Sequence, residues 1–179
     1  CTPQLSNGGL VDYGTLLAKD LSATAETPLP TRTLQFSVNC DAPARFALVM
    51  HDNRFGSATG GTDETAYGLG VDASHNKIGR YYLNIDPADF SADNLGTLYR
   101  TDSTSNGQAW SSATARQIPI AANSLMGFTD SIGSTLGPIA AQHLVGTVRI
   151  KPYLAPTQSM DLRNVVRING SGTLEIIYL

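Results

Sequence analysis

His51, His75 and His143 are the only imidazoles in the 179 residues. His51 stands beside Asp52 in HDN, but neighbouring strand residues point to opposite faces, so the two do not form a relay. No serine occupies a G-x-S-x-G elbow. His75, in DASHNK, reads as a loop residue and His143 as the start of a strand. Asp52, Asp63, Glu64 and Asp72 form a loose acidic run. A calcium loop needs oxygen ligands at tight, regular spacing, and Gly60-Gly61 interrupts this one. Asp52, Asn53 and Arg54 suit a turn, because Asp and Asn side chains bond nearby backbone groups. The expectation is a non-enzyme with no metal and no cofactor.

Cys1 and Cys40 are the only cysteines, 39 positions apart. That spacing fits neither a zinc motif nor a C-x-x-C redox pair. In an oxidising compartment it suits one disulfide, whose loop the chain-entropy model values at about 4 kcal/mol. The alternatives are two free thiols in a reducing compartment, or a lipid thioether on Cys1 that leaves Cys40 single. Only 15% of residues are charged, and Thr and Asn are plentiful, which points outside the cytoplasm. Trp110, the only tryptophan, follows the polar NGQA. Exposed, it would stack on a sugar; buried, it would anchor a core. Tyr81, Tyr82, Tyr99 and Tyr153 are compatible with a carbohydrate surface.

A net charge of -3 carries no basic footprint for nucleic acid. No apolar run reaches the ~18 residues of a membrane-spanning helix. A chain of this length with 41% hydrophobic residues makes one domain, residues 1–179, with a real core.

The elements that must hold these residues are strands. In TLQFSVNC, Leu34, Phe36, Val38 and Cys40 share one face, the period of a half-buried strand. RFALVMH follows CDAP, where Pro43 demands an extended or turned backbone. YGLGV (67–71), YYLNI (81–85) and HLVGTVRIKPYL (143–154) also read as strands, with Gly146 a bulge or close-contact point. LRNVVRI and TLEIIYL flank NGSG, which predicts a terminal hairpin. LVDYGTLLAKDL (10–21) reads as strand, kink, strand. Residues 86–140 form an irregular, loop-rich insertion with one helical turn at PADF. The sum is an all-β antiparallel sandwich.

This layout is similar to that of fimbrial (pilin) subunits of the chaperone–usher type, which carry a cysteine on the first strand, another about 40 residues later, and a C-terminal strand of alternating apolar residues with a penultimate tyrosine. Cys1, Cys40 and GTLEIIYL, ending Tyr178-Leu179, fit. A nearer resemblance is to a family of exported Gram-negative proteins of undefined function associated with chaperone–usher systems. It rests on CTPQLSNGGLVDYG, CDAPARFALVMHDNRFGSA, YGLG and SGTLEIIYL, and covers residues 86–140 poorly.

The resemblance implies an immunoglobulin-like sandwich lacking one strand, with a donor-strand groove along Leu174, Ile176 and Tyr178. It implies a fimbrial-like subunit taking part in fibre assembly or adhesion by donor-strand pairing. Its partners would be a periplasmic pilus chaperone and neighbouring fimbrial subunits, with a host or surface glycan as a further candidate. The location would be the periplasm and then the cell surface, in a fimbrium, or the protein would be secreted. The alternative is a self-contained carbohydrate-binding module using Trp110.

Overall fold

The computed structural model describes residues 1–61 and 63–179. Its strands are β1 (Thr2–Leu5), β2 (Thr27–Pro28), β3 (Arg32–Asp52), β4 (Tyr67–Gly68), β5 (Gly79–Ile85), β6 (Ser91–Ala92), β7 (Tyr99–Ser103), β8 (Ile118–Pro119), β9 (Leu125–Thr129), β10 (Ala140–Leu154) and β11 (Gly172–Tyr178). All pairings between them are antiparallel.

The long strand β3 organises the fold by serving two sheets in turn. Its first half pairs with β1 on one edge and β10 on the other, and β10 continues to β5 and β4. Its second half pairs with β11 on one edge and β9 on the other, and β9 continues to β7. The chain passes between sheets through Cys40–Ala44. There the β10 register slips between Ala141 and His143, opposite Pro43, which has no N–H to give a ladder. The CDAP segment is thus extended rather than turned.

The expected alternation holds. Phe36, Val38 and Cys40 are buried between the sheets, with Leu34 partly buried beside them. Along β5, Tyr81, Leu83 and Ile85 face inward while Arg80, Tyr82 and Asn84 lie outside. Phe90 stacks on Phe128 at 4.6 Å, and Tyr67 meets Tyr81 at 5.3 Å. Gly146 is a close-contact point, since a Cβ there would sit 2.3 Å from the Phe90 ring. The insertion supplies β6 to β9 and a 3₁₀ turn at Pro87–Asp89, capped by the Asp86 carboxylate accepting from the Ala88 N–H.

Two local expectations give way. Residues 10–21 form no strand; the chain runs unpaired into a 3₁₀ turn at Ala18–Asp20. No hairpin forms about NGSG either. Residues 162–168 are not a strand, and β11 pairs with β3 instead, Gly172 opposite Asp52 through Tyr178 opposite Phe46. The reason is burial: Val166 and Ile168 pack onto the core rather than alternate beside β11, and Gly170 lies tight against the Tyr81 ring.

Candidate functional site, an open sheet edge over an apolar groove

Cys1 and Cys40 are joined by a disulfide. It fixes β1 on β3 at its first residue, and the pairing Thr2–Asn39 to Leu5–Phe36 follows from there. At the other end of the molecule's sequence, the Cys1 backbone nitrogen donates to the Tyr178 hydroxyl. The first and last strands therefore meet at one point, although they belong to different sheets.

The edge of β11 can be worked out from two flanking bonds. The Asn53 N–H donates to the Ser171 carbonyl, and the Leu179 N–H donates to the Arg45 carbonyl. Odd-numbered residues along 171–179 therefore carry the bonds to β3. Antiparallel alternation turns the N–H and C=O groups of Leu174, Ile176 and Tyr178 to the opposite edge. Among the described residues no strand pairs there. Leu174 and Ile176 pack their side chains against the main core, while Tyr178 is 61% exposed. Ile177 covers the outer face of the sheet, against Ala47, Val49 and Leu125.

Beside this edge lies a cavity of about 300 Å³. Leu5, Val11, Tyr13 and Leu174 line it, together with the buried Tyr81 and Ile120. Of the three residues expected to mark the groove, Leu174 lines this cavity directly, while Ile176 and Tyr178 continue the row past it. Val11 through Leu16 make no backbone–backbone hydrogen bond among the described residues. The groove is thus flanked by two lengths of backbone without a ladder partner. Burial pushes the phenols of Tyr13 and Tyr81 up, so both are neutral groups at ordinary pH.

Most of the groove was invisible to motif reading. Met50, Tyr81, Leu83 and Ile120 contribute to it from three separate stretches of chain. The strand readings of RFALVMH and YYLNI place the first three on strands but do not say that a face is left uncovered.

Side chains on the outer face hold β11 in place. His51 lies between Asn123, at 2.8 Å from Nδ1, and Glu175, at 2.8 Å from Nε2. Both partners offer oxygens, so the doubly protonated ring satisfies both. The Glu175 bond, and then the Asn123 bond, raise the His51 pKa. Asn53 Nδ2 donates to Ser171 Oγ and Thr173 Oγ1, each at 3.0 Å.

The other candidates fall to structural work. Trp110 is half-buried over the outer cluster; its indole N–H donates to the Gly107 carbonyl at 3.1 Å, and a Cβ on Gly137 would lie 2.7 Å from its ring. One side of the ring is thus occupied. Asp52 accepts from the Arg54 and Gly68 N–H groups, Asp63 from the Thr65 N–H and hydroxyl, and Asp72 from the Ser74, Asn76 and Asp161 N–H groups. Each of these carboxylates thereby accepts from backbone N–H groups, and among the described residues no three metal-binding side chains converge.

Arg100, 2% exposed, was not foreseen. Its guanidinium donates to the Asp102 carboxylate and to the carbonyls of Ile118 and Pro119. It therefore ties β7 to β8, just ahead of Ile120 in the groove floor.

Over its full length the chain is 24% identical to the uncharacterized protein YhcF of Escherichia coli strain K12, covering 85% of that protein. It is 22% identical to protein GltF of the same strain, covering 83%. The model of the family described as "Protein of unknown function (DUF1120)" matches residues 1–90, half of the chain and the part that holds the disulfide, the whole of β3 and one wall of the groove. With that match, the chain belongs to the DUF1120 family of proteins of unknown function.

Proposed function

We propose that this chain is an exported, fimbrial-like subunit that accepts an extended β-segment from a partner along the free edge of β11. The observation that carries the reading is the coincidence of that edge with the apolar cavity beside it. A strand laid there would complete a ladder with Leu174, Ile176 and Tyr178 and drop alternate side chains into the groove. Main-chain bonds supply affinity in this mode, and the alternate side chains supply selectivity. Left uncovered, such an edge invites aggregation. That favours a sequence of occupants, with a periplasmic chaperone first and a neighbouring subunit afterwards. The disulfide supports a workplace outside the cytoplasm, in the periplasm and then at the cell surface.

The test is thermal unfolding with a synthetic peptide of alternating Val/Ile and Thr residues. At a concentration of about 100 times its Kd the ligand stabilises by about 2.7 kcal/mol, which raises Tm by about 5–11 °C for a chain of this size. A control peptide with prolines at the bonding positions lacks the needed N–H groups and leaves Tm unchanged. A flat Tm with the first peptide, or an equal rise with both, overturns the proposal.

A further inference from the structure

The groove does not stop at Gly172. Beyond it, the chain from Met160 to Asn169 and the chain from Leu10 to Leu21 line a second, broader cavity of about 1010 Å³, with Ile78 and Leu154 also in its lining. Leu10, Val11, Tyr13 and Ile168 line both spaces, so the two are one continuous trench.

Its walls are apolar where they are wet. Leu10 is 63% exposed and Val165 86%, and Leu16 and Leu162 are exposed beside them. Contiguous apolar surface of this kind marks an interaction site. Val11–Leu16 have no backbone partner among the described residues, and residues 162–168 lie in no strand. The charges differ from wall to wall. Arg163 closes on Asp161, at 2.8 Å, and Asp12 accepts from the Gly14 N–H. Arg167, exposed on the same stretch as Val165, makes no ion pair among the described residues.

We infer that the segment accepted along β11 runs on past Gly172 into this trench, bringing apolar side chains to Leu162 and Val165 and an acidic side chain to Arg167. The inference rests on β11 being a strand-accepting edge. Continuity selects the occupant. Pairing β11 takes seven residues, about 23 Å of extended chain, and Gly172, where that ladder ends, lines the same cavity as Leu10 and Ile168. An extended segment serves both the edge of β11 and the trench continuous with it along one path.

The experiment compares three peptides by titration calorimetry on the disulfide-bonded protein. One is an eight-residue alternating Val/Thr ladder. The other two add a six-residue tail with two valines and a glutamate, at the N-terminus in one and at the C-terminus in the other, because strand direction decides which end reaches Gly172. One tailed peptide is expected to bind about tenfold tighter than the ladder alone, the worth of one well-buried apolar side chain. In the double variant Leu162→Ser/Val165→Ser, whose exposed sites line the trench and not the groove, that gain disappears and ladder binding is unchanged. Arg167→Glu also weakens the tailed peptide and spares the ladder. If both tailed peptides match the ladder, or the gain survives the double variant, the trench is not part of the site and the inference falls, while strand acceptance stands. If no peptide binds, strand acceptance itself fails and takes the inference with it.

Discussion

Replacing Arg100 by Met tests whether a buried charge network holds the two sheets in register beneath the groove. The aliphatic stem survives this change and the guanidinium is lost. Three bonds to Asp102 go, at 2.9 to 3.2 Å, together with donors to Ile118 at 2.8 Å and Pro119 at 3.0 Å. An orphaned buried carbonyl costs about 1–3 kcal/mol, and removing one member of a buried pair typically costs about 3–5 kcal/mol. The Asp102 side chain is 24% exposed and can take up water, which places the total near the lower end, at about 3–4 kcal/mol. For a chain of this length that is a fall in Tm of about 6–16 °C. Urea unfolding with the disulfide intact should move the midpoint and leave the slope unchanged. Adding Asp102→Asn to Arg100→Met should recover about 1 kcal/mol or more, because no charge is then stranded. A loss below about 1 kcal/mol for Arg100→Met would refute the argument, since water would then be replacing every one of these bonds at no cost.

Reducing the Cys1–Cys40 bond should cost about 2–5 kcal/mol in the same assay, and the reduced protein should match a Cys1→Ser/Cys40→Ser variant. Gly146→Ala forces a methyl group against Phe90, which is already stacked on Phe128; a loss of about 1–3 kcal/mol is expected, read as a lowered urea midpoint. His51 has a raised pKa when folded, so its contribution is complete below about 6.5 and fades as pH climbs through the folded value. Wild type should therefore lose up to about 1 kcal/mol more than His51→Gln between pH 6 and 8, a ceiling set by the exposure of the His51–Glu175 pair. Parallel pH curves for the two proteins would show that the clamp contributes nothing.

How much of this was legible beforehand depends on the range of the physics involved. Period-2 burial is local: adjacent side chains on a strand must point opposite ways, so β3, β5 and β10 could be read off alternating residues, and so could the inward row Leu174, Ile176. The disulfide was legible as a cysteine count. The pairing of β11 was not. Asn-Gly between apolar runs is a strong turn signal, yet Val166 and Ile168 gain more by covering core than by forming a ladder, and β3 offers β11 a complete row from Phe46 to Asp52.

Trp110 and Arg100 show the same division. Composition leaves the placement of a tryptophan open, and only the fold brings Gly137 against its ring. An arginine has no sequence signature for burial, and only the arrival of Asp102 and two carbonyls around it makes burial tolerable. By itself, then, the sequence determined the inward face of the clearest strands, that the regular structure is β, and that two sulfurs were available to join. Tertiary structure alone decided which strand lies beside which, and hence that one edge and the apolar surface next to it stay uncovered. Strand pairing depends on contacts far apart in the chain, and no local pattern encodes the absence of a neighbour.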